Sequence, residues 1–172
     1  MEFYAILAMI FLGIALIYCV YATITGVADR LSDKHKWEIR TKHADIILPL
    51  RLQAYERMCL FLERIAPNNL LIRLVPSAMS ALELQQILLH DIREEYNHNV
   101  AQQLYISSNA WEQLVNAMNE TVAVINQAAT EVPGEAPPAD LAKKIFSHVI
   151  EKETQPSTHA LKVLKEEIRQ LF

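Results

Sequence analysis

Apolar and polar positions divide this chain into two unlike parts. From Phe3 to Ile24 (FYAILAMIFLGIALIYCVYATI) there is no charged residue and no proline. At about 1.5 Å per residue, that stretch matches a bilayer hydrocarbon core of about 30 Å. Beyond Gly26 charged residues appear, and from Pro49 apolar residues recur at helical spacing; no segment shows sustained period-two alternation. The pattern predicts an all-α chain: an N-terminal transmembrane helix continuing into a stalk, then an antiparallel helical bundle of about five helices. The expected segments are residues 1–26 for the span, 27–47 for a juxtamembrane helical stalk and 48–172 for a cytoplasmic helical domain.

Within the domain, Pro49 is expected to open a helix, where its missing N–H costs nothing. Its apolar stripe is Leu50, Ala54, Met58, Phe61, Leu62 and Ile65. Pro67-Asn68-Asn69 is expected to end it, with Leu70–Val75 as a short apolar link. Ser80-Ala81-Leu82-Glu83 reads as a capping box. It starts a helix expected to reach Tyr105, striped by Leu82, Leu88, Leu89, Ile92, Tyr96 and Val100. Gln85, Asn99 and Gln103 fall in the same stripe and call for buried partners or a wet interface. Asn109 and Glu112 offer another box ahead of Trp111, Leu114, Met118, Val122, Ile125 and Ala129. Val132–Pro138 (VPGEAPP) is the clear loop. Ala139–Glu153 is expected to bury Leu141, Ile145, Phe146, Val149 and Ile150, and the last helix Leu161, Leu164, Ile168 and Leu171.

Charge sets the expected topology. Arg30, Lys34, Lys36, Arg40 and Lys42 follow the apolar stretch closely, and positive charge near a span marks its cytoplasmic side. The expectation is a single-pass protein of the bacterial inner membrane, held through residues 3–24, N-terminus out and C-terminal domain cytoplasmic. Net charge is −4 and no basic patch is interleaved with aromatics, so nothing favours nucleic acid. After Gly26 the sole glycine is Gly134, which excludes glycine-rich phosphate loops and dinucleotide fingerprints. Cys19 lies in the span and Cys59 on an amphipathic helix, so they are not placed to pair, which fits a reducing compartment.

Three candidate surfaces emerge. Arg51, Tyr55, Glu56, Arg57 and Arg64 are dense in charge for an amphipathic helix and form a candidate docking face, since Arg and Tyr are favoured at interfaces. His90, Glu94 and His98 form a candidate polar face at four-residue spacing. Glu95 and His98 make an E-x-x-H, the spacing by which carboxylate-bridged di-iron bundles hold metal. A second E-x-x-H is required for that chemistry and the chain has none. No metal site, cofactor or catalytic residue is therefore assigned. Ala8, Ala15 and Ala22 recur every seven residues, and Cys19 and Gly26 follow members of the series by four. This stripe of small residues is a candidate span contact for a homo-oligomer, because helices in lipid associate by close backbone approach.

Leu48–Leu70 (LPLRLQAYERMCLFLERIAPNNL), Ile92–Ile106 (IREEYNHNVAQQLYI) and Glu167–Phe172 (EIRQLF) together resemble an uncharacterised family of short, single-span, membrane-anchored proteins from Bacteroidetes-type bacteria. The resemblance implies an inner-membrane setting and an all-helical domain, and carries over no activity, cofactor or partner. The favoured expectation is a non-enzymatic, membrane-anchored interaction or scaffold module with a protein partner. The alternative is a membrane-tethered enzyme or metal-binding bundle with a site around Glu95 and His98.

Overall fold

A computed structural model describes residues 2–151 and 156–170; side chains at positions 2, 4–10, 24, 26–44 and 156 fall outside the description. The described residues form six α-helices and two 3-10 turns, with no strand: α1 (Glu2–Ile65), α2 (Pro67–Leu74), α3 (Ala81–Asn99), α4 (Ser108–Thr130), α5 (Pro138–Glu151) and α6 (Pro156–Arg169). The 3-10 turns are Val75–Ser77 and Val100–Leu104. The chain divides into two units, Met1–Leu48 and Pro49–Phe172.

The first unit is the helical segment up to Leu48. Its described large apolar side chains, among them Phe11, Ile14, Ile17, Tyr18 and Tyr21, are exposed. Thr23 donates its hydroxyl to the Val20 carbonyl at 2.8 Å, and Thr25 donates to that of Tyr21 at 3.0 Å. Among the described residues no helix is long and apolar enough to cross a membrane. The described apolar run Phe11–Thr23 falls short of the about 20 residues a span needs. The basic residues Arg30 to Lys42 lie outside the described side chains.

The second unit has one core. α1 contributes Ala54, Tyr55, Met58, Phe61, Leu62 and Ile65, while α3 contributes Leu84, Leu88 and Ile92. α4 packs on α3, α5 and α6. Its innermost face is Ala110, Leu114, Ala117, Thr121, Val124, Ile125 and Ala128. This face is rotated by one position from the expected stripe: Trp111, Met118, Val122 and Ala129 are only half-buried. The reason is steric. A helix with three neighbours needs small side chains at its closest approaches, and Ala117, Thr121 and Ala128 supply them. The buried Thr121 hydroxyl is satisfied by the Ala117 carbonyl at 2.9 Å.

Several boundaries differ from expectation. Pro49 lies inside α1 rather than opening a helix, although a proline there removes one hydrogen bond from the helical ladder. Pro67-Asn68-Asn69 begins α2 rather than a turn, with Pro67 in its first turn. α3 stops at Asn99 and tightens into the 3-10 turn Val100–Leu104 instead of running to Tyr105. Ser107, not Asn109, caps α4, accepting from the Ala110 amide at 3.1 Å. Leu50, Leu82 and Ile150 are exposed rather than core. Leu171 lies outside the described residues.

The start of α3 is held from two directions. Ser80 Oγ accepts from the Glu83 amide at 3.2 Å, while the Glu83 carboxylate reaches the Met79 amide at 2.8 Å, one residue beyond the usual box partner. The next two amides turn to the α4–α5 loop: Ala81 N–H donates to the Ala136 carbonyl at 2.8 Å and Leu82 N–H to that of Gly134 at 3.1 Å. The first-turn donors that a helix cannot pair internally are thus met by a loop far along the chain.

Candidate functional site

Four of the five residues in the charged row on α1 have partners within the helical unit. Tyr55 is 1% exposed, within the core, because its ring completes the apolar stripe and its hydroxyl has internal partners. Arg51 donates from Nε to the Tyr105 carbonyl at 3.1 Å and from Nη2 to the Tyr55 hydroxyl at 3.2 Å. Its guanidinium carbon also sits 5.9 Å from the Tyr55 ring centroid. Arg57 donates from Nε to Asn99 Oδ1 at 3.2 Å and from Nη2 to the His98 carbonyl at 3.1 Å. Arg64 pairs with Glu95 at 2.5 Å. Of the five residues, Glu56 alone is exposed without a hydrogen bond or ion pair among the described residues.

These arginines finish helices. α3 ends with no glycine to turn the chain, since Gly134 is the one glycine of this unit. Its terminal carbonyls therefore need other donors. Arg57 supplies one at His98, Asn99 Nδ2 supplies another at Glu95 (2.8 Å), and Arg51 serves Tyr105 just past the 3-10 turn. α1 is finished in the same manner from α2: Asn69 Nδ2 donates to the Glu63 carbonyl at 2.7 Å, and Arg73, bidentate to Asp91 at 2.8 Å, reaches the Arg64 carbonyl at 3.4 Å.

Glu167 on α6 closes the set. Its carboxylate accepts from the Tyr55 and Ser107 hydroxyls and from the Ser107 amide at 3.0 Å, with Arg51 4.0 Å away. Burial pushes this carboxyl up, but the bonds from Ser107 and Tyr55, with the Arg51 charge, outweigh it and hold it below its ordinary value. Burial, then the Glu167 bond, pushes the Tyr55 phenol up, so it stays a donor. α1, the approach to α4 and α6 meet at this one carboxylate.

His90, Glu94 and His98 are exposed on α3. Among the described residues no group of three or more His, Cys, Asp or Glu is placed to hold a metal ion. Glu95 is engaged by Arg64, and Asn99 is 8% exposed and bonded on both sides of its amide. Cys59 is half-buried and burial pushes its thiol up, away from the reactive thiolate. Ala15, Cys19 and Ala22 are exposed on α1; Ala8 and Gly26 lie outside the residues whose surroundings are described.

A groove between α3 and α4 is absent from the sequence expectations. Leu89, Ile92 and Tyr96 from α3 and Met118 and Val122 from α4 make it apolar, and its volume is about 450 Å³. Arg93 and Asn97 on α3 and Asn126 on α4 stand at its edge, all exposed. The sequence does carry a signal for it: positions 89, 92, 93, 96 and 97 share one helical face, as do 118, 122 and 126. Met118 and Val122 read as core by their size, which hides it.

Over residues 1–171 the chain matches a family of unknown function, DUF7935. The chain belongs to that family. No curated protein and no solved structure matches it. Residues from three of the stretches singled out in the sequence converge at one place: Arg51 and Tyr55 from Leu48–Leu70, Tyr105 from Ile92–Ile106 and Glu167 from Glu167–Phe172.

Proposed function

We propose that this protein is a non-enzymatic, membrane-anchored helical interaction module, held in a bacterial inner membrane through residues 3–24 with the unit Pro49–Phe172 in the cytoplasm. The observation that carries this reading is the exposure of large apolar side chains on the first part of α1: Phe11 at 76%, Ile17 at 72% and Tyr18 at 72%. Contiguous apolar surface of this kind needs a non-aqueous neighbour, and lipid satisfies it along the whole circumference of a helix. The hydroxyls of Thr23 and Thr25 donate back to their own helix, as polar side chains do where no water is available. Arg30 through Lys42 favour the cytoplasmic side for the chain beyond them. The second unit then serves as the part that meets a protein partner.

The test is topological. A C-terminal alkaline phosphatase fusion is expected to be inactive and a fluorescent fusion bright, both in the membrane fraction after a high-salt wash. Deleting residues 3–24 is expected to release the chain to the soluble fraction. An active phosphatase fusion overturns the orientation, and recovery of the intact chain in the soluble fraction overturns the anchor.

A further inference from the structure

The α3–α4 groove combines three features. Its walls are apolar, with Ile92 1% exposed at the base and Leu89, Tyr96, Met118 and Val122 half-buried around it. No carboxylate lines it, in a chain whose net charge is −4. Its edge carries Arg93, exposed and without an ion pair among the described residues, although Arg51, Arg64 and Arg73 are all paired. Asn126 holds its oxygen on the Gln85 amide at 2.9 Å, leaving its NH₂ as a second donor at the same edge. A volume of about 450 Å³ lies in the range of small-molecule sites and is too small for a partner helix, which is about 10 Å across.

We propose that this groove binds a small carboxylic acid with an apolar body, its hydrocarbon or aryl portion between Tyr96, Met118 and Val122 and its carboxylate on Arg93 and Asn126. The complementarity lies in charge and shape together: an apolar trough ending in donors without a fixed anion. A charge-assisted bond to arginine orients the acid, and burial of the body supplies most of the affinity. The proposal holds whether or not residues 3–24 enter a bilayer.

Trp111 reports on the site, because its ring lies 5.8 Å from that of Tyr96. With Trp37→Phe removing the other tryptophan, the full chain in dodecyl maltoside is titrated with 4-phenylbutyrate against empty micelles. Trp111 emission is expected to change saturably. 4-Phenylbutyramide and 4-phenylbutylamine are expected to bind about tenfold more weakly or not at all. Arg93→Gln, on an exposed side chain, is expected to keep the circular dichroism spectrum and weaken the acid about tenfold. Val122→Trp, which adds an indole of its own and is therefore followed by titration calorimetry, is expected to fill the groove and abolish binding of the acid. Equal affinity for acid, amide and amine, an Arg93→Gln variant as tight as the parent, or no saturable response at millimolar acid each overturns the proposal. A flat titration with a lower sedimentation coefficient for Val122→Trp also overturns it, and assigns the groove to a second copy of the chain.

Discussion

Glu167 satisfies more polar groups from distant parts of the chain than any other described side chain of the helical unit. Tyr55 lies 112 residues away in sequence and Ser107 lies 60 away, and both direct their hydrogen bonds to this carboxylate. Glu167→Ala is expected to cost about 2–4 kcal/mol, because the Tyr55 hydroxyl and the Ser107 amide lose their acceptor where water cannot replace it fully. The pH dependence has a definite sign. Its folded-state value is lowered, so its contribution is present above the ordinary carboxylate value and is lost as pH falls through the lowered one. Urea midpoints are expected to fall below about pH 4 in the parent and to fall less steeply in Glu167→Gln. Superimposable pH profiles would remove Glu167 from this role.

At the scale of elements, the two ends of α3 are built differently. Ser80→Ala removes the acceptor for the Glu83 amide and is expected to cost about 1 kcal/mol in urea unfolding. Gly134, by contrast, is not required by its conformation. A Cβ there would meet Leu82 Cβ at 3.5 Å, an ordinary contact. Gly134→Ala is therefore expected to leave the loop bonds to Ala81 and Leu82 intact and to stabilise by about 0.4–1 kcal/mol through a less flexible unfolded chain. A loss of more than about 1 kcal/mol would contradict this account.

The contrast between those ends explains what is legible in the sequence. The all-α class and the start of α3 follow from local chemistry, apolar spacing and a Ser-x-x-Glu box. The end of α3 and the 3-10 turn after it do not, because Arg57 serves the His98 carbonyl from 41 residues away and Arg51 serves that of Tyr105 from 54 away. The same arginines read as a docking face in the sequence, since a charge on an amphipathic helix is normally solvated. Their partners are set by tertiary packing that periodicity cannot encode. The α3–α4 groove is hidden for a related reason: α4 carries its small residues innermost, so hydrophobic size points to the wrong face.

At the scale of the molecule, the described buried core begins at Ala54 and extends to Leu164. No described core residue comes from the first unit, Met1–Leu48. The helical unit thus owns its interior, and a fragment starting at Asp45 is expected to fold without the apolar segment. It contains one tryptophan, Trp111, which lies at the α3–α4 contact, while far-UV circular dichroism averages over all its helices. If the unit is a single cooperative structure, the two signals trace the same urea transition with the same midpoint. An earlier Trp111 transition would mean that α3 and α4 separate before the remaining helices melt, and the one-core description would fail. Leu62→Asp and Ile92→Asp are informative in the same assay. Both positions are at most 1% exposed, so each substitution buries an unpaired carboxylate in the core, one from α1 and one from α3. Each is expected to cost more than about 4 kcal/mol and to abolish the transition from either element. Loss from one variant only would place its partner's helix outside the cooperative unit.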